Sequence, residues 1–361
     1  VTSFRTTRRR LVSLGTAALA MCIATTVVLM PARAATPVGD GQFHVNGINI
    51  IGPDGKVFVP RGVNVGGFDA YAMPLVNRDT FVRAKAWGAN FVRLPISSTF
   101  WVQAMCSYNA GYVQRIDTVV QWAEELQILL LLDNHRSTKG LACPMKLLTG
   151  GQNEMADKFS QSMLYDIAAR YNGRPYVAFD LFNEPHSISD EIWRNGGRVD
   201  TWNAIGMQEL LDTVRIQAGA TNLVFASGNS WANNLLPIID NPLRGNDVVY
   251  AAHSYPFACD GRMISPKLPY LCHGKQYPPF LETHIAPAIG KRPVVITEFG
   301  TPRPYAGEMK APIDWFNAHG IGWSAYNFAS GKTENYALMQ PNSTNPSITG
   351  TPVKNELNKL L

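Results

Sequence analysis

The chain has 361 residues, 46% of them hydrophobic and 16% charged, with 32 Lys and Arg against 27 Asp and Glu. Five of the basic residues, Arg5, Arg8, Arg9, Arg10 and Arg33, fall in the first 34 positions with no acid among them, so the remaining 327 residues carry 27 of each sign. A neutral body of that length is large enough for a sizeable core, argues against nucleic acid or an anionic membrane surface as partner, and suits an uncharged polymer.

The first 34 residues read as an export signal: a basic start, an apolar stretch from Leu11 to Met30, and Ala32-Arg33-Ala34 as a small-x-small cleavage pattern. Thr7-Arg8-Arg9-Arg10-Leu11-Val12 also fits a twin-arginine export signal. The expectation is a secreted or envelope protein with no stable membrane insertion after cleavage. Residues 35–361 contain no Ser/Pro/Thr-rich linker, no low-complexity block and no 20–50-residue repeat, and read as one monomeric domain.

A small hairpin is expected from Phe43 to Gly55, with Asp54-Gly55 in its turn. Eight strand candidates follow: Phe58–Asn64, Asn90–Ile96, Ile128–Asp133, Val177–Asn183, Leu223–Ser227, Val248–Tyr255, Val294–Glu298 and Gly322–Phe328. Most lack polar alternation, as strands buried on both faces do. Helical stretches lie between most of them, at Asp79–Trp87, Tyr112–Leu126, Asn153–Tyr171 and Thr201–Gln217, and Val353–Leu361 closes the chain. Alternating β and α units predict an α/β fold, a (β/α)8 TIM barrel. The competing open doubly wound sheet would place a glycine-rich phosphate loop after its first strand, and Arg61-Gly62-Val63-Asn64-Val65-Gly66-Gly67 is a poor one.

In a barrel the chemistry gathers at the C-terminal strand ends. Read there, the sequence gives Arg93-Leu94-Pro95, Asp133-Asn134-His135, Asn183-Glu184-Pro185, His253-Ser254-Tyr255, Thr297-Glu298-Phe299-Gly300 and Gly322-Trp323-Ser324. Two glutamates at two strand ends, Glu184 and Glu298, are what cleavage of a glycosidic bond needs. This set resembles glycoside hydrolase family 5, the family of many cellulases and mannanases, from about Phe58 to Phe328. The family's shared positions fall on Arg93, His135, Asn183, Glu184, His253, Tyr255, Glu298 and Trp323.

The resemblance implies a retaining hydrolase of β-linked polysaccharide, with Glu184 as acid and then base and Glu298 as nucleophile. Arg93 and Tyr255 would hold Glu298 ionised, Asn183 would bond the sugar 2-hydroxyl, His135 and His253 would orient these groups or contact sugar hydroxyls, and Trp323 would floor a sugar ring, all of them on the substrate-binding side of the site. Trp101, Trp231, Tyr71 and Tyr326 fit either sugar subsites or packing. β-1,4-Glucan is the expected substrate, with β-mannan as the alternative within the family; a carbohydrate-binding cell-wall protein is the alternative outside enzymes. No cofactor is expected. No metal is expected either, since neither His-Glu-x-x-His nor His-x-His after the first strand occurs, and no Gly-x-Ser-x-Gly supports a serine hydrolase. Cys106, Cys143, Cys259 and Cys272 remain after the export signal. Four cysteines allow three pairings, and the barrel order favours Cys106–Cys143 and Cys259–Cys272, each within one side of the mouth.

Overall fold

The structure, a computed structural model, describes residue 1 and residues 41–70, 76–143, 152–255, 277–328, 336–341 and 343–361, with 277–280 and 303–305 described in backbone only. The export-signal reading, Tyr71 and the Cys259–Cys272 pair lie outside these residues. From residue 41 onward they belong to one compact unit, and no helix among them is long and apolar enough to cross a membrane.

Among the described residues the strands are β1 (His44–Asn46), β2 (Asn49–Ile51), β3 (Arg61–Asn64), β4 (Phe91–Ser97), β5 (Leu129–Arg136), β6 (Val177–Asp180), β7 (Gly197–Val199), β8 (Trp202–Ala204), β9 (Val224–Ser227), β10 (Val248–Ser254), β11 (Val294–Phe299) and β12 (Gly322–Ala325). Eight of them close a parallel barrel in the order β10-β11-β12-β3-β4-β5-β6-β9. The hairpin β1–β2 turns at Gly47, whose φ is +63°. Asp54-Gly55 instead makes a second turn, closed by the Gly55 amide donating to Gly52 O at 2.9 Å, that brings Val57 back beside Ile51. The antiparallel pair β7–β8 interrupts the stretch read as helix from Thr201; the helix there runs Met207–Asp212, and a π-turn over Thr213–Gln217 follows it.

Alternation along the strands divides the side chains into two layers. Val92, Leu94, Leu130, Leu132, Phe179, Val224 and Ile296 face the helices. Phe91, Leu129, Leu131, Ala178, Phe225, Val249, Ala251 and Val295 fill the lower barrel, and Phe43 and Ile50 of the hairpin cap them from beneath. A Cβ on Gly62 would lie 1.7 Å from Phe91 O, so only glycine lets β3 come this close to β4. Above the apolar layer the inward positions turn polar: Asn64, Arg93, Asp133, Asp180, Ser227, His253, Thr297 and Ser324 are all fully buried.

Side chains fix where the helices start. Asn77 caps the helix Arg78–Ala86 and Asn109 caps Ala110–Glu125. Asp157 caps Lys158–Arg170 in a capping box with Ser160. The same carboxylate accepts from Thr138 N (2.6 Å), Thr138 Oγ1 (2.9 Å) and Gly140 N (2.8 Å), which pins the loop after β5 to that helix.

Cys106 and Cys143 are joined, with Cα atoms 5.2 Å apart, and they tie the loop after β4 to the loop after β5. Peptide mapping without reduction should return a Cys106–Cys143 linked peptide. Opening that bridge should lower stability by about 3–4 kcal/mol in the chain-entropy account of a 37-residue separation. An alkylatable Cys106 in the oxidised, folded protein would contradict the pairing.

Candidate active site

Arg93 stands at the centre of the polar layer with no exposed surface. Its Nη1 donates to Asn64 Oδ1 (3.0 Å) and to Glu298 Oε2 (2.6 Å). Its Nη2 donates to Asn183 Oδ1 and lies 3.0 Å from Asp133 Oδ2, while Nε faces Asp180 Oδ2 at 3.6 Å. Burial alone would depress the guanidinium pKa. The charges of Asp133 and Glu298 outweigh that and raise it.

Glu298 reaches this centre because β11 breaks step. Val295 and Thr297 alternate with Ile296, so a regular strand would send Glu298 outward. The pairing with β10 shifts at His253, which then lies opposite Glu298, and Phe299 joins the outer layer against Phe316 and Trp323. Tyr255 Oη donates to Glu298 Oε1 at 2.6 Å. Burial and then the Glu298 charge raise the Tyr255 pKa well above the phenol range, so the hydroxyl keeps its proton and acts as a donor.

Glu184 follows β6 on the tight segment ending at Pro185, and its Oε1 lies 2.7 Å from His253 Nδ1. Burial pushes the Glu184 carboxyl up to about 7, despite the nearby His135 and Arg93 that pull it down. Burial pushes His253 down to about 3, so its ring is neutral at working pH and it adds no opposing positive charge to Glu184. An oxygen of Glu184 and one of Glu298 lie within 4.8 Å of each other and of a His253 ring nitrogen. Among the described residues these three form the one group of metal-ligand type, and the Arg93 charge 2.6 Å from Glu298 opposes a cation there.

His135 is held by Asp133, with Nδ1 2.5 Å from Oδ2, and its Nε2 faces Asp69 at 3.9 Å. Burial disfavours the imidazolium, but Asp133 and Asp69 prevail and the His135 pKa is raised. Seven of the eight expected residues thus meet in one network at the mouth. Trp323 does not. It is fully buried on the outer face of β12, donates Nε1–H to Asn317 on the helix Lys310–Ala318 (3.1 Å) and lies under Arg61. A ring that faces the helix Lys310–Ala318 and not the mouth cannot floor a sugar; the expectation mistook an outward strand position for an inward one.

Trp101 is packed and 5% exposed. Trp231 lies flat on His186, ring centroids 3.5 Å apart, in a left-handed run Ser230-Trp231-Ala232, and donates its backbone N–H to Pro185 O. Tyr326 follows β12 and meets Tyr336, which also packs edge-on to Tyr255 at 5.8 Å. Sequence reasoning missed Asp180, Asn64, Gln152 and Tyr336. A charged residue inside the apolar run Val177–Phe182 was the available signal for Asp180; the others carried none.

A family model described as cellulase, glycosyl hydrolase family 5, matches residues 53–332. Endoglucanase C of Evansella cellulosilytica is 22% identical over 86% of the chain and 36% of its own length. An endoglucanase of Clostridium saccharobutylicum is 23% identical over 87% of the chain and 62% of its own length. The chain therefore spans less than two thirds of these curated relatives. The fold is similar to that of a β-glucanase from Saccharophagus degradans, with a TM-score of 0.69, 21% identity, and coverage of 91% of this chain and 98% of that one. It is also similar to the endoglucanase catalytic domain of Thermobifida fusca, seen in variant form with cellotetraose, with a TM-score of 0.64, 17% identity, and coverage of 88% and 98%.

A carboxyl at about 7 is protonated below that pH and ionised above it. If Glu184 gives a proton to a leaving oxygen, kcat/KM on an unactivated β-glucoside falls as pH rises through about 7. On a dinitrophenyl glycoside, whose leaving group needs no proton, that alkaline limb disappears. The same limb on both substrates would remove Glu184 from the acid role.

Proposed function

The chain belongs to the cellulase family, glycosyl hydrolase family 5, and we propose that residues 35–361 form a retaining endo-β-1,4-glucanase domain in which Glu184 is the acid/base and Glu298 the nucleophile. The carrying observation is that one oxygen of Glu184 lies within 4.8 Å of one oxygen of Glu298. Retaining glycosidases hold theirs about 5–5.5 Å apart, whereas inverting ones need about 6.5–9.5 Å to admit a water between.

In the first step Glu298 attacks the anomeric carbon while Glu184 gives its proton to the departing oxygen, leaving a glycosyl ester on Glu298. In the second, Glu184, now ionised, takes a proton from water, which attacks the same carbon and frees Glu298. Arg93 and Tyr255 engage one oxygen each of Glu298, which leaves its orientation fixed between turnovers. Neutral His253 bonds Glu184 in either protonation state through Nδ1. Asn183, locked on Arg93, presents its amide to the sugar 2-hydroxyl, a contact that strengthens in the transition state. Trp231, Tyr326 and Tyr336 offer ring faces and edges along the mouth.

The endoglucanase and β-glucanase names of the relatives favour β-1,4-glucan over mannan. The basic and apolar start of the chain supports export to the outside, as does an extracellular endoglucanase of Xanthomonas campestris among the relatives. NMR of the sugar first released from a cellooligosaccharide should show the β-anomer, with mutarotation to α following. An α-anomer released first would reject Glu298 as nucleophile.

A further inference from the structure

Asn183 has an amide that can make four hydrogen bonds. Arg93 Nη2 takes its Oδ1. Its Nδ2 donates to Gln152 Oε1 at 2.5 Å, and the second amide hydrogen has no partner among the described residues. Gln152 comes from the far side of the loop after β5, a part of the chain for which no motif predicts a site. On its other side Gln152 Nε2 lies 3.2 Å from His135 Nε2. With the ring proton on Nδ1, shared with Asp133 Oδ2 at 2.5 Å, Nε2 of the neutral ring is left to accept from Gln152. When the ring is charged this second contact is lost, and the shorter contact to Asn183 does not depend on it.

The segment holding Gln152 is built, not draped. Asn153 Nδ2 donates to Ser137 O at 2.5 Å, Ser137 Oγ to Met155 O at 2.6 Å, and His186 N to Glu154 O at 3.0 Å. Gln152 therefore projects from backbone fixed to both the β5 loop and the segment after Glu184.

From this geometry we infer that Gln152 is a positioning residue: it fixes the rotation of the Asn183 amide so that one N–H points at the 2-hydroxyl of the sugar being cleaved. The role rests on the glucanase reading above. Arg93 alone leaves the amide one anchored corner; Gln152 supplies the second, and two anchors define the direction of the remaining N–H. The energy at stake is one hydrogen bond that tightens in the transition state, about 1–1.5 kcal/mol, or roughly tenfold in rate.

The test compares a 4-nitrophenyl β-cellobioside with its analogue lacking the 2-hydroxyl on the ring that bears the aryl group. Gln152→Ala should lower kcat/KM about tenfold on the first, chiefly in kcat, and change it less than about twofold on the second. Gln152→Glu keeps an acceptor facing Asn183 and should retain the wild-type preference for the 2-hydroxyl. An equal loss on both substrates in Gln152→Ala, or loss of the preference in Gln152→Glu, would overturn the role. A wild type inactive on both would overturn the hydrolase reading and this role with it, whereas an active wild type whose preference Gln152→Ala leaves intact overturns the role of Gln152 alone.

Discussion

The guanidinium of Arg93 is the charge around which the upper barrel is arranged. Three carboxyls, of Asp133, Asp180 and Glu298, lie within 3.6 Å of it, and none of the Arg93 surface meets solvent. Three ionised acids on one cation would leave a net charge of about −2 in a water-poor interior, which is very unfavourable. Burial and the neighbouring Asp133 raise the Asp180 pKa well above the carboxylate range, so Asp180 is the neutral member. Removing one partner from such a set costs on the order of 3–5 kcal/mol, several times a neutral hydrogen bond. The arrangement is thus held far more firmly than any single contact at the mouth.

Firmness here has a chemical use. The proposed reaction needs one carboxyl neutral and another ionised a few ångströms apart. Arg93 bonds Glu298 directly, whereas the Glu184 carboxyl contacts the neutral His253 ring and burial holds it at about 7. The difference arises from which element each side chain leaves: Glu298 is turned inward by the break in β11, and Glu184 stands past the end of β6 above the charge. Two similar residues at similar strand ends thus have different surroundings, burial raising Glu184 and a direct Arg93 contact engaging Glu298, as the proposed roles require.

Most of this was readable from the chain. Eight apolar runs spaced by helical stretches gave the barrel, because buried parallel strands need no polar face. Polar residues at successive run ends gave Arg93, His135, Asn183, Glu184, His253, Tyr255 and Glu298, because only the barrel mouth can hold so many together. Parity was not readable. Whether Trp323 faced sugar or helix depended on strand phase, and whether Glu298 faced inward depended on a bulge that no local composition marks. The turn of the first hairpin was misplaced for a similar reason: Gly47 and Asp54-Gly55 are both turn sequences, and the chain uses both. Gln152 was invisible because its contacts are set by a loop anchored through Asp157 and Asn153, not by any spacing.

The central claim, that Glu298 is the nucleophile held on Arg93, is tested most directly by trapping its ester. A 2-fluoro substituent destabilises the positively charged transition states of both steps, and a dinitrophenyl leaving group lets the first proceed. Incubation with 2,4-dinitrophenyl 2-deoxy-2-fluoro-β-cellobioside followed by peptic digestion and mass spectrometry should place one fluorocellobiosyl group on Glu298. Label on Glu184, or release of dinitrophenol with no label on the chain, would contradict the account.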